Sequence, residues 1–420
     1  MGIPDSVIRQ ISEKIDFLEL VGKYTTLHKL GDRYRGLCPF HQEKTPSFYV
    51  QPDKKLFYCF GCGKGGNLFQ FFMEIEHISF PEALKILGEK VGISIDSLDE
   101  SSLSQGKKQD ALLQLLNKVA GAFHYLLMKS ELGKEARQYL EQRGIENAII
   151  EKFQLGYAPS DPYWLRQFLE KKSFSAPFLV QSGLFSPRNP ERSFFVDRLM
   201  FPIFSLNGDV VAFGGRILKG EGPKYLNSAE SALFKKGETL YGFYQARESL
   251  RKSQTAVLAE GYMDVLALHQ AGIDTAVAPL GTSLTLSQVR LIRRFAEKVI
   301  LFFDSDPAGL QALKRASILC EQQELEVLGV DTGNYPFKDP AEFIQQGKKD
   351  ELQKIVKYPI SILEFLLRTL SPQENQLKVT EVFPYIESMV SEIKRDTALS
   401  QIADYFQLDR ESVRADFLPP

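Results

Sequence analysis

The sequence predicts an α/β protein of several domains, and three observations support that prediction. Three of the four cysteines cluster with a histidine near the N-terminus, as paired metal ligands do. Between about residues 256 and 306, short apolar runs alternate with helical periodicity, which is typical of a parallel sheet buried between helices. From Tyr358 onward the apolar spacing is helical. We therefore expect a small metal-binding module, a mixed α+β lobe, a parallel α/β lobe and a helical bundle.

Composition excludes several classes of protein. With 44% hydrophobic and 25% charged residues, the chain is globular rather than disordered. The net charge of −2 gives no overall attraction to polyanions, so any nucleic-acid site must be a local basic groove. Four cysteines among 420 residues do not suggest a disulfide framework. We expect a cytoplasmic protein with no membrane partner, because no apolar run has transmembrane length and the N-terminus is too charged for a secretory signal.

The N-terminal module carries two closely spaced ligand pairs. Its four candidate ligands are Cys38, His41, Cys59 and Cys62. Strand-like runs over Ser47–Val50 and Leu56–Phe60 lie between the pairs, and glycines surround the second pair. Four such ligands suit one tetrahedral zinc ion, and a closed four-ligand site is structural rather than catalytic.

Basic and aromatic residues alternate through the same module. They are Arg33, Arg35, Lys44, Lys54, Lys55 and Lys64, interleaved with Tyr34, Phe48, Tyr49, Phe57 and Tyr58. This mixture suits single-stranded nucleic acid, since cations contact phosphates and rings stack on bases. We expect the inward-facing half of the rings to form a core and the outward-facing half to bind.

A polar stretch over residues 97–110 is predicted to be a linker. Beyond it, alternating apolar residues around Asn207-Gly208 predict a β-hairpin. A basic cluster gathers near Gly214-Gly215, where the backbone can approach phosphates closely. Its members are Arg198, Arg216, Lys219, Lys224, Lys235 and Lys236.

Three acidic residues follow the apolar runs of the parallel lobe. Glu260 ends the run Ala256–Ala259, and Asp304 and Asp306 end the run Val299–Phe303. In parallel sheets the functional crevice lies beyond the carboxyl ends of the strands. Carboxylates gathered there would repel one another without a cation, and oxygen ligands in an open site suit Mg²⁺.

Several of these motifs together resemble a known family. Glu260-Gly261 with Asp304-Ser305-Asp306 resembles the Toprim domain. CPFHQEKTPSF followed by FYCFGCGKGGN resembles the zinc-binding domain of bacterial DnaG-type primases, and YLEQRGI and PKYLNSAES resemble their catalytic core. The resemblance implies a zinc ribbon over residues 1–96, a linker over 97–110 and an N-terminal polymerase lobe over 111–253. A Toprim domain over 254–350 and a helical subdomain over 351–420 follow.

The resemblance also implies roles for individual residues. Glu260, Asp304 and Asp306 would be catalytic and would hold Mg²⁺ or Mn²⁺, with Asp339 as a further candidate ligand. Gly281-Thr282 would face the same crevice, and Asp264 would support Glu260 from one turn beyond. The expected template or nucleotide contacts are Arg143, Arg216, Lys224, Tyr225, Asn227 and Lys236.

Two positions depart from the family pattern. Ser305 stands where the family usually has Gly, which leaves both carboxylates of the motif in place. Ala341 stands where the family commonly has an Asp two residues after Asp339, so one expected metal ligand is missing. Asp331 is a candidate substitute, and the number of catalytic metal ions stays open.

The predicted function is DNA-dependent synthesis of short RNA primers at bacterial replication forks. The implied partners are a single-stranded DNA template, ribonucleoside triphosphates and a replicative helicase. The protein itself is expected to be a monomer. Family members usually continue into a helicase-binding domain, for which little room remains before Pro420. The alternatives are a Toprim nuclease or topoisomerase, and a zinc-dependent single-strand-binding protein whose Toprim lobe is inactive.

Overall fold

The structure is a computed structural model that describes residues 5–417 except 32, 93–99, 170–175, 187, 282, 334 and 371–378. For residues 5–7, 9–10, 100–108 and 176 it describes the backbone alone. The chain divides into two compact units, Met1–Ala111 and Leu112–Pro420.

The first unit is an antiparallel sheet, in the order β1-β2-β3-β4-β5, packed on short helices. Its strands are β1 (Leu27–Leu30), β2 (Arg33–Gly36), β3 (Phe48–Gln51), β4 (Leu56–Cys59) and β5 (Gly65–Asn67). Its helices are α1 (Asp5–Lys14), α2 (Phe17–Gly22), α3 (Leu68–Glu76) and α4 (Phe80–Lys90).

Alternation along β3 and β4 separates a buried face of this sheet from an exposed one. Phe48 and Phe57 are buried, and both rings contact Phe71 of α3. Tyr49 and Tyr58 pair across the same two strands on the opposite face. The two predicted strands are therefore confirmed with small shifts at their ends, and so is the division of the rings into inward and outward sets.

A long helix, α5 (Glu100–Lys129), occupies most of the predicted linker. Residues 97–99 of that prediction lie outside the described residues. The predicted linker is helical from Glu100 onward, because polar residues such as Glu, Gln and Lys are good helix formers and the stretch contains no proline. The boundary between the two compact units falls within this helix, after Ala111.

The second unit begins with an N-terminal lobe built on a mostly buried antiparallel sheet, in the order β11-β10-β9-β6. Its strands are β6 (Gly156–Ala158), β7 (Phe185–Ser186), β8 (Asn189–Ser193), β9 (Arg198–Phe204), β10 (Val210–Ile217) and β11 (Tyr225–Asn227), of which β7 and β8 form a separate ribbon. Its helices are α6 (Lys134–Gln142), α7 (Asn147–Lys152), α8 (Trp164–Leu169), α9 (Ala176–Gln181) and α10 (Phe243–Ser253).

The predicted hairpin at Asn207-Gly208 is confirmed. It joins β9 to β10, and Gly208 has a φ of 96°, which a residue with a Cβ adopts only with strain. A side chain there would also meet the ring of Tyr244. The hairpin sets the register of the two longest strands of this lobe.

The Toprim-like lobe is a sheet in the order β13-β12-β14-β15-β16, whose first four strands are parallel. Its strands are β12 (Thr255–Leu258), β13 (Ala276–Val277), β14 (Lys298–Leu301), β15 (Glu326–Gly329) and β16 (Ile360–Ser361). Its helices are α11 (Tyr262–Gln270), α12 (Leu286–Arg293), α13 (Pro307–Glu321), α14 (Pro340–Gln345) and α15 (Lys349–Lys357). The predicted parallel α/β lobe is confirmed.

The C-terminal segment is helical, as predicted, but it does not begin a separate layer at residue 351. Its helices are α16 (Ile362–Thr369), α17 (Phe383–Glu387), α18 (Glu392–Phe406) and α19 (Arg410–Phe417). Strand β16 pairs antiparallel with β15 and so belongs to the Toprim sheet. Leu366 and Ile402 share one hydrophobic core with Leu301 of β14.

Candidate active site and zinc centre

Cys38, His41, Cys59 and Cys62 come together in the first unit, with one ligand atom from each within 4.8 Å of the others. The Sγ atoms of Cys38 and Cys62 are 3.8 Å apart, and the Sγ of Cys59 is 3.9 Å from Nδ1 of His41. Two thiolates bound tetrahedrally at about 2.3 Å from zinc would lie about 3.8 Å apart. The predicted ligand set therefore fits a tetrahedral zinc ion.

Glu43 supports this centre, and the sequence analysis missed it. One carboxylate oxygen accepts hydrogen bonds from the amides of Cys38 (2.7 Å) and Ser47 (3.1 Å), and the other lies 3.3 Å from Nε2 of His41. The Ser47 hydroxyl joins the same carboxylate to Cys59 Sγ, 3.2 Å away. A carboxylate on the second ring nitrogen fixes the orientation of a metal-binding histidine. An acid two residues after His41 is the only sequence signal for this role.

The two turns that carry the ligand pairs also direct backbone amides at the sulfur atoms. The amide of Phe40 lies 3.4 Å from Cys38 Sγ, and the amide of Cys62 lies 3.4 Å from Cys59 Sγ. Gly61 permits the tight approach, because a Cβ there would sit 2.7 Å from Nε2 of His41. Such hydrogen bonds favour thiolate over thiol.

In the second unit, Glu260 and Asp304 follow neighbouring parallel strands, β12 and β14, at the carboxyl edge of the sheet. The amide of Asp304 donates to Oε1 of Glu260 over 2.9 Å. Gly309 of α13 packs against both residues, since a Cβ there would lie 2.7 Å from Glu260 Oε1 and 2.2 Å from the Asp304 carbonyl oxygen. Both acids line a cavity of about 300 Å³ between the two lobes of this unit.

The remaining predicted acids are placed differently. Asp339 lines the cavity, whereas Asp306 is exposed and caps α13 by accepting from the Gly309 amide at 2.8 Å. Ala341 lines the cavity where the family pattern has a carboxylate. Asp331, the candidate substitute, pairs instead with Arg368 at 2.6 Å and is not among the residues that line the cavity.

Burial and mutual repulsion keep these carboxyls hard to ionise. Burial, followed by Glu260 and Asp339, raises the pKa of Asp304 to about 7. Burial also raises the pKa of Glu260, although the hydrogen bond from the Asp304 amide opposes this shift. The pKa of Asp339 is likewise raised by burial. Asp264, half-buried in the first turn of α11, has its pKa raised well above the usual value by burial and by Asp339. A bound divalent cation would remove this repulsion, so the donor set fits one.

Basic residues form another part of the cavity lining, called here the basic wall. Its members are Arg143, Arg216 and Lys224. Arg216 donates to the Tyr225 hydroxyl at 2.9 Å and lies over the ring of Tyr139, which Arg143 also covers. The predicted Arg143, Arg216, Lys224 and Tyr225 are therefore brought together. Tyr139, between the two guanidinium groups, was missed because its role depends on contacts across the fold.

Asn227 also lines the cavity, but its side chain is already engaged by the protein. Its Oδ1 accepts from the Tyr262 hydroxyl at 2.6 Å, and its Nδ2 donates to the Leu280 carbonyl at 2.9 Å. A Cβ at Gly214 would lie 2.4 Å from the Tyr262 hydroxyl, so this strand position needs glycine. Asn227 thus joins β11 of one lobe to α11 of the other. The contact is made at Tyr262, two residues after Glu260.

Lys236 and the Gly281-Thr282 pair complete the predicted set. Gly281 lines the cavity with a φ of 68°, while Thr282 lies outside the described residues. Lys236 is not among the residues that line the cavity, and its carbonyl accepts from Gln288 at 2.8 Å. In the described part of the chain, no helix is long and apolar enough to cross a membrane.

Family models match three consecutive parts of the chain. A CHC2 zinc finger model matches residues 3–103, a model of the DNA primase catalytic core N-terminal domain matches 123–247, and a Toprim domain model matches 254–330. In this order they define a Toprim catalytic core preceded by a zinc ribbon.

Similar proteins cover almost the whole chain. A DNA primase of Treponema pallidum is 41% identical over 98% of this chain and 69% of its own length. A DNA primase of Halalkalibacterium halodurans is 39% identical over 99% of this chain and 71% of its own length. The zinc-binding and RNA polymerase domains of the Aquifex aeolicus primase have a TM-score of 0.63 at 34% identity, covering 97% of this chain and 98% of theirs. A DnaG catalytic domain solved with single-stranded DNA has a TM-score of 0.62 at 27% identity, covering 73% and 99%.

The chain belongs to the bacterial DnaG-type DNA primases, and its activity is the synthesis of RNA primers. The predicted family, fold class and activity are confirmed. The alternatives of a Toprim nuclease or topoisomerase, or of a binding protein with an inactive Toprim lobe, are not favoured.

Proposed function

We propose that the cavity between the acids and the basic wall is where the chain joins ribonucleotides, with Mg²⁺ or Mn²⁺ held by Glu260 and Asp304. The observation that carries this proposal is the cavity itself, in which carboxylates with raised pKa values face Arg143, Arg216 and Lys224. Asp339 is the third ligand, and Asp306, at the start of α13, acts electrostatically or through water. The metal, when bound, neutralises charge on the transferring phosphates.

Different side chains of the protein accept the proton and bind the phosphates during nucleotidyl transfer. The attacking 3′-oxygen forms a bond to the α-phosphorus of the incoming triphosphate, and the bond from that phosphorus to pyrophosphate breaks. Glu260 receives the proton at Oε2, because Oε1 is held by the Asp304 amide. Arg143, Arg216 and Lys224 hold the triphosphate, and the stacked Tyr139 limits the movement of both guanidinium groups. Lys236 is proposed to contact the template nearby.

The outward face of the sheet formed by β1–β5 is proposed to hold the single-stranded DNA template. Arg35, Tyr49 and Tyr58 are cross-strand neighbours on β2, β3 and β4. Tyr58 is 46% exposed and Phe60 70% exposed, and their rings contact each other. Exposed rings beside cations suit stacked bases and phosphates. Lys55 is excluded from this surface, since its Nζ binds the carbonyls of Glu13 and Ile15.

The remaining partners follow from the family. Ribonucleoside triphosphates are the substrates, a replicative helicase is the expected partner, and the protein is proposed to act as a monomer at the cytoplasmic replication fork. The DnaG domain solved with single-stranded DNA supports template binding by this chain.

The test is metal-dependent incorporation of labelled ribonucleotides on a single-stranded template. Glu260→Gln should lower incorporation by about a thousandfold or more while DNA binding is retained, because the variant loses both a metal ligand and the proton acceptor. Glu248→Gln, an exposed acid on α10, is the matched control and should be fully active. Equal incorporation by Glu260→Gln and the wild type would refute this site.

A further inference from the structure

Lys338 carries a positive charge beside the acids of the proposed active site. It directly precedes Asp339, which lines the same cavity as Glu260 and Asp304. Its carbonyl oxygen accepts a hydrogen bond from the Ser305 amide at 3.2 Å. Because Ser305 directly follows Asp304, this bond holds the segment that carries Lys338 against the turn that carries the acids.

The charge of Lys338 acts on two of these acids. Burial raises the pKa of both Asp304 and Asp339, and the ammonium group of Lys338 opposes both shifts. An effect of this kind requires the ammonium group to lie within Coulombic range of the two carboxyl groups. Arg143 of the basic wall acts on Asp339 in the same direction. Lys338 therefore places a cation on the acidic side of the cavity, in addition to those of the basic wall.

The ion pair that Lys338 makes within the protein is loose. Its Nζ lies 3.9 Å from Oε1 of Glu342, and its side chain is 55% exposed. The other oxygen of Glu342 accepts a hydrogen bond from the Lys338 amide at 3.0 Å. An exposed pair at this separation contributes little stability, and the lysine stem is flexible. An anion with more charge than one carboxylate can therefore draw the ammonium group away from Glu342.

Ala341 explains why an extra cation is useful at this place. It lines the cavity at the position where the family pattern has a carboxylate, so the site offers one oxygen ligand fewer to divalent cations. Phosphoryl transfer nevertheless requires positive charge close to the phosphates that leave. A lysine supplies such charge to phosphate oxygens as a compact cation with three hydrogen-bond donors.

We propose that the Lys338 ammonium group binds the β- and γ-phosphates of the incoming ribonucleoside triphosphate, where it takes the place of a second divalent cation. It neutralises the negative charge that grows on pyrophosphate as the bond to the α-phosphorus breaks, and it keeps its own proton throughout. This inference rests on the proposed function of the acids. It adds a nucleotide-binding residue on the Toprim side of the same reaction.

Steady-state kinetics test the proposal through Lys338→Gln, which removes the charge and keeps a polar side chain. In single-nucleotide extension of a template-annealed RNA primer, the variant should raise the KM for the incoming nucleotide about tenfold and leave the KM for the primer unchanged. Lys298→Gln is the matched control, because Lys298 is 47% exposed and begins β14, at the end of the strand away from the acids. An unchanged nucleotide KM in a folded Lys338→Gln protein would overturn the proposal.

Equilibrium binding tests the same residue without turnover. Electron paramagnetic resonance of Mn²⁺ measures metal affinity, and fluorescence anisotropy measures the binding of a labelled ribonucleoside triphosphate at saturating Mg²⁺. Lys338→Gln should bind Mn²⁺ severalfold more tightly, because a neighbouring cation is removed, and should bind the triphosphate more weakly. A residue that only maintains the fold would not shift the two affinities in opposite directions, so weaker binding of both ligands would overturn the proposal.

A second substitution should rescue the first. Lys338→Gln combined with Ala341→Asp should return the nucleotide KM to within about threefold of the wild-type value, because the added carboxylate offers a ligand to a second divalent cation. Failure of Ala341→Asp to improve the nucleotide KM of Lys338→Gln would overturn the exchange of a cation for the lysine. If the wild type incorporates no nucleotide, the proposed function fails, and the two binding measurements still decide whether Lys338 binds the triphosphate.

Discussion

Tyr262 and Asn227 connect Glu260, the proposed catalytic carboxylate, to the basic wall. Tyr262 begins α11 two residues after Glu260, and its ring stacks on Phe201 and Tyr225 of the other lobe. Its hydroxyl binds Asn227 at 2.6 Å. Because Tyr225 in turn accepts from Arg216, the position of the acid depends on the position of the guanidinium group.

Tyr262→Phe should lower kcat about tenfold with little change in KM for nucleotide, because the ring still packs while the hydrogen bond that aligns the lobes is lost. Asn227→Ala should have a similar effect. The double variant should be no worse than Asn227→Ala alone, since that variant already removes the hydrogen bond to Tyr262 together with the one to Leu280. Tyr244→Phe, at an exposed tyrosine, is the control. Additive losses in the double variant would show that the two residues act independently.

Ala341 offers a test of metal binding in the opposite direction. Its methyl group lines the cavity beside Asp339. Ala341→Asp should lower the Mg²⁺ concentration for half-maximal primer synthesis severalfold, because it adds an oxygen ligand. Ala341→Asn matches the size without the charge and should change this concentration less. A Mg²⁺ titration that is identical for the wild type and the Asp variant would contradict the placement of the metal.

At this scale the sequence predicts the residues whose chemistry is local. Cysteine pairs and acids at strand ends identify themselves by residue type and spacing, and the structure gathers Glu260, Asp304 and Asp339 as expected. Asn227 was expected to touch substrate, yet it bonds to Tyr262, 35 residues away. Contacts of that kind depend on how the two lobes pack against each other, and a single sequence carries no direct signal of that packing.

At the scale of the elements, one unpredicted carboxylate, that of Glu43, contacts the zinc ligands of the first sheet. Glu43→Gln should weaken zinc binding about 10–100-fold, because the amide removes the charge that orients His41 and supports the thiolates. Competition with a chromophoric chelator measures this affinity. Glu74→Gln is the control, since Glu74 pairs with Lys64 outside the ligand set. Equal zinc affinity in both variants would mean that Glu43 plays no part in the centre.

The secondary-structure elements show what sequence patterns leave open. A polar composition predicted a linker over residues 97–110, but the backbone from Glu100 belongs to α5. The strands of the Toprim sheet were predictable because they are short apolar runs buried on both faces. Strand β16 was not, since Ile360-Ser361 is too short to show a period.

At the scale of the second unit, a buried histidine ties its lobes together. His269 of α11 is almost fully buried, with Nε2 3.0 Å from the Ala276 carbonyl and Nδ1 3.3 Å from Asp274. Asp274 also accepts from Lys152 of α7 at 2.5 Å. Burial lowers the pKa of His269, although Asp274 opposes the shift. The proximity of His269, followed by the hydrogen bond from Lys152, lowers the pKa of Asp274.

Both shifts make the second unit less stable in acid. A histidine whose folded pKa lies below its usual value of about 6.5 stabilises the fold above that pH, and the contribution is lost as pH falls. The ionised Asp274 also stabilises the fold, and its contribution is lost as the pH falls further. His269→Gln should therefore flatten the fall of the melting temperature below about pH 6.5, whereas His28→Gln, at an exposed site in the first unit, should not. Parallel pH profiles for wild type and His269→Gln would contradict this assignment.

The pairing of β16 with β15 has a consequence for any shortened form of the protein. Residues 360–361 cover the hydrogen-bonding edge of the parallel sheet at Leu328 and Gly329. A polypeptide ending before Ile360 would present that edge to solvent, beside the apolar surface that α16 and α18 normally cover. Unpaired edges of this kind recruit strands from other molecules. Such a fragment would keep every proposed catalytic acid and would still be prone to self-association and precipitation.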